Sequence, residues 1–335
     1  MIHFCRKNYN KIMPIFIILF ILTGCSNNLK KPNPNSNEVS MPKLPKVLSE
    51  IEEDILKVLY DMDTISGIEE ALKQKKLEDE KAHKNLTVEV QQSKEIKDEK
   101  KAEAKEEKSK KEDSKETEGS EKIDLKVLVT KDQIIIPLLD ASDIHSSFIN
   151  IPTLPRNIDE VWSKINATVT EIHTKWNSLE AQLVSVNISY KKCEEFEAIL
   201  DNFTLAIMNR EVLPSLKLGN ELTRITSDFR NYFNGNHSHN IYGMYYHIRG
   251  SILFAASNNY LGALEHLNEA SKLSTSLRQN LTKQEEQDTL QKLDLSIEDL
   301  RKQLSDENFY LSQVKAPIVI KNIKLAEDVF KTQIR

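Results

Sequence analysis

A row of apolar residues from 158 to 186 constrains the fold more than any other feature of this chain. Its members follow one another at alternating steps of four and three residues, the heptad pattern of a long helix with one narrow apolar face. They are Ile158, Trp162, Ile165, Val169, Ile172, Trp176, Leu179, Leu183 and Val186. Asn157 can cap this helix, and Asp159 and Glu160 suit the positive end of its dipole. Both tryptophans share the apolar face, so we interpret them as core residues rather than as a ligand site.

Apolar residues also recur at steps of three and four in several later segments, each of which predicts a helix. These segments cover residues 190–207, 218–233, 241–257, 261–277, 290–304 and 318–330. We expect Pro214 to separate the first two, and we expect the last helix to begin beyond Pro317. Short connections between successive helices favour antiparallel packing. The predicted fold class is therefore all-α, with an antiparallel helical bundle over residues 123–335.

The residues before the main helices divide by composition. Residues 25–46 are rich in Asn, Ser, Lys and Pro and predict a flexible tether. Residues 47–72 predict an amphipathic helix whose apolar side must dock on the main domain or on a partner chain. Residues 73–122 are dominated by Lys and Glu, which predicts a largely disordered, solvated spacer that is helical in part. Residues 123–155 predict short helices and extended segments that lie over the core.

The composition argues against several classes of function. The net charge of −5 over 335 residues lacks the basic excess that a general nucleic-acid binder would show. Only eight glycines are present, and the sequence has no phosphate-binding loop, nucleophile elbow or zinc-protease motif. These features favour a binding or structural protein over an enzyme, and they predict no cofactor.

Two groups of reactive side chains are candidates for chemistry. His237 and His239 are close in sequence to His247, and two histidines at this spacing can contribute to a Zn²⁺ or Cu²⁺ site. No further ligand follows at a diagnostic spacing, so a solvated polar loop is the favoured interpretation. Cys193 falls on the apolar face of its helix while His173 lies off the face of another, which favours a buried thiol over a nucleophile and its base. We therefore predict no catalytic, cofactor-binding or metal-binding residue.

Residues 1–24 have the pattern of a lipoprotein signal peptide. Basic residues precede a ten-residue apolar run over 13–22, whereas a helix that spans a bilayer needs roughly 20 apolar residues. The run ends in Leu22-Thr23-Gly24-Cys25, which resembles a bacterial lipobox. The resemblance implies cleavage after Gly24 and lipid attachment at Cys25, with several acyl chains holding the protein to a membrane. The alternative is an ordinary secretory signal in which Cys25 has no special role.

The order of these parts resembles a known family. The lipobox, the Asn/Lys/Pro tether, the Lys/Glu-rich spacer and the helical C-terminal domain are together similar to the complement-regulator-acquiring surface proteins of Borrelia and their virulent-strain-associated lipoprotein relatives. The resemblance implies a helical bundle on the outer face of the outer membrane. It also implies capture of a host serum or matrix protein, such as a complement regulator or plasminogen. Some members dimerise through the C-terminal helix, and no binding residue of the family can be matched to a position here.

We therefore expect a non-enzymatic, lipid-anchored outer-surface protein of a spirochaete that binds a host macromolecule in immune evasion or host adaptation. Homodimerisation through residues 318–335 stays open. The alternative is a periplasm-facing envelope lipoprotein with a structural or assembly role, which proteinase treatment of intact cells would distinguish. A hydrolase that uses His237, His239 or His247 is a third class, and it predicts a stoichiometric metal after purification.

Overall fold

The computed structural model describes five ranges of the chain, and the regular secondary structure within them is helical. These ranges are 41–81, 133–144, 155–234, 238–279 and 283–333. The helices are α1 (Lys46–Asp63), α2 (Ile136–Ala141), α3 (Ile158–Ser185), α4 (Tyr190–Met208), α5 (Val212–Arg230), α6 (Ser238–Ala255), α7 (Tyr260–Arg278), α8 (Gln284–Ser305) and α9 (Phe309–Gln333). The predicted all-α class is confirmed. The expected cleavage and lipid attachment at Gly24 and Cys25 lie outside the described residues.

The first helix, α1, lies inside the bundle. Leu48, Ile51, Ile55 and Leu59 are fully buried, and α1 packs against α3 and α5. After a turn at Thr64 the chain stays helical over 65–81, so the helix runs past the predicted end at 72. The sequence left open whether this helix docks on the main domain or on a partner chain, and in the structure it docks on the main domain.

The long heptad helix, α3, forms as predicted. The Asn157 side chain accepts a hydrogen bond from the backbone N–H of Glu160 at 3.0 Å, which satisfies one of the free donors at the helix start. Trp176 is fully buried and stacks on Phe196 of α4, with 4.2 Å between ring centroids. Trp162 is also buried. The interpretation of both tryptophans as core residues is confirmed.

Both proline predictions were wrong. The helix is interrupted before Pro214, at Arg210, whose φ of 60° is incompatible with continuing α4. Pro214 itself lies in the first turn of α5. A proline fits there because a first-turn N–H has no helical partner to lose. Pro317 lies inside α9, which begins eight residues earlier at Phe309. The side chain of Asn308, the residue before this helix, accepts a hydrogen bond from the Leu311 N–H. Burial of its neighbours Ala316, Val319 and Ile320 offsets the roughly 3 kcal/mol that an internal proline costs.

The short helix α2 is held to the bundle by one carboxylate. Asp63, the last residue of α1, accepts the backbone N–H groups of Ile134, Ile135 and Ile136 at 2.8 to 2.9 Å. The N–H groups of Ile135 and Ile136 are among the donors that a helix start leaves unpaired, so Asp63 caps α2 from another element. Within residues 133–144 the expected short helix over the core is therefore present. The remainder of the 123–155 segment lies mostly outside the described residues.

The last helix, α9, is covered on three sides. It packs against α8, α6 and α2. The buried side chains that face these helices include Ala316, Val319, Ile320, Ile323, Ala326 and Phe330. The fourth side of α9 faces solvent.

Candidate functional site

The solvent side of α9 carries five large apolar residues, and the exposed Lys321 and Asp328 share that side of the helix. At 3.6 residues per turn the five apolar residues fall on one side of the helix, opposite the buried set. We call them the α9 stripe: Tyr310, Leu311, Val314, Ile318 and Leu325, which are 39% to 74% exposed. Apolar side chains scattered singly over a surface are ordinary, whereas a contiguous exposed patch marks an interaction surface.

One exposed apolar residue of α8 lies level with the stripe. Lys315 Nζ lies 3.1 Å from Asp299 Oδ2, and Asn322 Nδ2 donates to the Lys292 carbonyl at 3.4 Å. Leu295 lies midway between residues 292 and 299, and Ile318 lies between 315 and 322. These two exposed side chains are therefore level with each other across the α8–α9 contact.

Charged pairs border this apolar surface. Lys315 and Asp299 form one edge, and Lys324 with Asp143 forms another beside α2. An apolar centre with a polar rim is the usual anatomy of a protein–protein interface. The arrangement can bind the apolar face of another protein, and it presents no group placed to make or break a bond.

A second candidate is a groove of about 650 Å³ between α6 and α7. His247 and His266 meet there, with their Nδ1 atoms 3.1 Å apart. Phe254, Glu265 and Glu269 also line it. Burial, and then the neighbouring His266 ring, lower the pKa of His247 to about 4. Burial also lowers the pKa of His266, so both rings are neutral at pH 7.

Of the three sequence-predicted histidines, the two that the structure describes, His239 and His247, are not grouped in a metal site. His237 lies outside the described residues, and the His239 Nδ1 lies 3.2 Å from the Ser227 carbonyl oxygen. His247 instead meets His266, which the sequence analysis did not single out. The short α6–α7 connection is the signal that could have indicated this partner, because residues at similar distances from the turn of a helical hairpin lie near each other, and these two histidines are eight and six residues from it.

Cys193 and His173 do not form a reactive pair. Cys193 is 1% exposed, and burial raises the pKa of its thiol. The His173 Nε2 instead lies 2.9 Å from the Thr204 hydroxyl. The interpretation of Cys193 as a buried core residue is confirmed.

Comparisons with protein-family models, with curated proteins and with solved structures found no match to this chain. Within the described ranges, no helix is long and apolar enough to cross a membrane. In the same ranges no three His, Cys, Asp or Glu side chains are grouped so as to hold a metal ion.

Proposed function

We propose that this is a non-enzymatic, lipid-anchored surface protein of a spirochaete that binds a host protein through the α9 stripe. The binding role is supported by the exposed large apolar residues of the α9 stripe. The anchor is supported by the lipobox-like Leu22-Thr23-Gly24-Cys25, and exposure to host fluids by the Lys/Glu-rich spacer that follows. The family resemblance supports a complement regulator, plasminogen or a similar serum protein as the partner.

The size of the stripe suits the centre of an interface rather than the whole of it. Complete burial of one large apolar side chain contributes about 1.5–3 kcal/mol. The five residues of the stripe are about half exposed, so covering them contributes roughly 5 kcal/mol. Association itself costs about 4–15 kcal/mol in lost freedom of motion. A stable complex therefore also uses the charged rim, and we expect its affinity to weaken with salt.

A serum pull-down followed by mass spectrometry tests the proposal. The bait is the chain from residue 26, which omits the proposed lipid-bearing Cys25, because a fragment from 123 would lack α1 and expose core residues such as Ile51 and Ile55. The test variant carries Ile318→Lys and Leu325→Lys. The matched control carries Leu205→Lys and Leu261→Lys, which change residues on α4 and α7 that are at least as exposed as the two test residues.

We expect the wild-type chain and the control to retain the same serum protein. The stripe variant should retain at least tenfold less of that protein. Circular dichroism should show equal helix content in all three proteins. Equal retention by the stripe variant would contradict the proposed surface. Light scattering on the same samples measures whether a second copy of the chain occupies the stripe, in which case the stripe variant would change from dimer to monomer.

A further inference from the structure

We propose that His247 and His266 form a binding site for one Cu²⁺ or Zn²⁺ ion in the groove between α6 and α7. The two imidazole rings come from different helices, and each turns its Nδ1 toward the other at 3.1 Å. Convergence of two imidazole nitrogens at an open surface is the arrangement from which a divalent transition metal is chelated.

The spacing of the two nitrogen atoms nearly fits a metal ion already. Zinc–nitrogen bonds are 2.0–2.1 Å long, so two nitrogens on a tetrahedral ion lie about 3.3–3.4 Å apart. The two nitrogens need to separate by only a few tenths of an ångström from their present 3.1 Å. Each ring must also turn, so that its Nδ1 lone pair points at the ion and not at the other nitrogen.

Gly250 helps to set this geometry. A Cβ atom at position 250 would lie 2.6 Å from the His266 Nδ1, so only glycine leaves room for the ring where it stands. The Tyr246 and Phe254 rings lie on other sides of His266, with centroids 5.4 and 4.9 Å from its own. Packing thus positions the His266 ring. A metal-binding side chain that is already held in place loses little conformational entropy when the ion binds.

Metal binding requires one proton of the pair to move. Imidazole binds a metal through a ring nitrogen that carries no proton. One ring donates its Nδ1 proton to the other in the metal-free pair. When the ion binds, that proton moves through solvent to the Nε2 of the same ring, so both Nδ1 lone pairs face the ion and no proton is lost overall.

The groove leaves the other coordination positions open. Glu265, Asn268 and Glu269 line it, and the Glu269 carboxylate pairs with Lys272 at 2.6 Å. Within the described residues no third His, Cys, Asp or Glu completes a group of ligands there. Water therefore fills the remaining positions, which makes the site exchangeable rather than structural. Two imidazoles favour Cu²⁺ over Zn²⁺ and exclude Mg²⁺ and Ca²⁺, which require oxygen ligands.

The test is a calorimetric titration of the untagged mature chain, stripped with chelator, with CuCl₂ and with ZnCl₂ at pH 7.5. His247→Gln and His266→Gln are the test variants. His173→Gln and His239→Gln are the controls, since both remove a half-buried histidine that does not line the groove. We expect one ion per chain, tighter binding of Cu²⁺ than of Zn²⁺, and at least a tenfold weaker affinity in each test variant alone.

A spectroscopic measurement keeps the test valid if a variant folds poorly. The electron paramagnetic resonance spectrum of the Cu²⁺ complex of the wild-type chain should show coupling to two nitrogen atoms. Coupling to a single nitrogen, or none, would overturn the proposal. Binding that persists in both test variants but disappears in His239→Gln would place the metal at His239, at the start of α6, and would also overturn it. No binding of either ion to the wild-type chain would mean that the pair is only a hydrogen bond between helices.

Discussion

The buried ion pair between Glu52 of α1 and Arg230 of α5 provides the most quantitative test of the fold. The Glu52 Oε2 lies 2.6 Å from the Arg230 Nη2, and both residues are 4% exposed. The Arg230 guanidinium also lies over the Tyr242 ring at 3.7 Å, while its Nε has no hydrogen-bond partner. Glu52 is thus the carboxylate paired with this buried cation.

We expect Glu52→Gln to lower the free energy of unfolding by about 3–5 kcal/mol, because it leaves the Arg230 charge buried without its counter-charge. An exposed pair is worth only about 0.2–1 kcal/mol. The matched control is therefore Glu50→Gln, which breaks the solvent-exposed pair with Lys46 on the same helix. The measurement is urea unfolding followed by circular dichroism, with a lower midpoint and an unchanged slope expected for Glu52→Gln.

A double variant separates the charge from the packing. Replacing both residues, as Glu52→Leu with Arg230→Met, removes the two charges together and should restore most of the stability that Glu52→Gln loses. A loss below about 1 kcal/mol in Glu52→Gln would refute the reasoning, since it would place the pair in a solvent-like environment. So would a double variant that is less stable than the single one.

Two further substitutions test the contacts of α1. Burial raises the pKa of Asp63 to about 6, against its three backbone hydrogen bonds, which lower it. The folded state therefore binds the proton more tightly than the unfolded state. In chemical unfolding, the wild-type chain should lose stability relative to Asp63→Asn as the pH rises from about 4 to 6. A gain of stability over this pH range would refute the burial argument. Gly219→Ala would place a Cβ 2.5 Å from the Leu59 Cδ2 and 2.9 Å from the Phe203 ring, so thermal unfolding should show a loss of about 1–3 kcal/mol. An unchanged Tm would mean that α1 and α4 move apart easily.

The sequence predicted those features of the fold that depend on local spacing. The seam of α3, its Asn157 cap and the burial of Trp176 all follow from residues within a few turns of one another. The errors at Pro214 and Pro317 have one physical cause. The free-energy cost of a proline depends on its position within a helix and on the packing around it, and the residue type alone gives neither.

The remaining features depend on contacts between residues far apart in the chain. Asp63 caps α2 from 71 to 73 residues away, and Glu52 meets Arg230 across 178. The meeting of His247 and His266 depends on the register of α6 against α7. The α9 stripe could not be separated from the core pattern of the same helix, because both sets are apolar and only packing shows which of them faces solvent.

Retention of labelled serum proteins by intact cells is the most direct test of the proposed function. Cells expressing the wild-type chain are compared with cells expressing Ile318→Lys with Leu325→Lys, and with cells expressing Cys25→Ser, at protein levels matched by immunoblot. The account predicts that wild-type cells retain the serum protein and lose it after brief proteinase treatment. The stripe variant should be equally accessible to proteinase yet retain little, and the Cys25→Ser chain should leave the membrane fraction. Protection of the wild-type chain from proteinase, or equal retention by the stripe variant, would contradict the account.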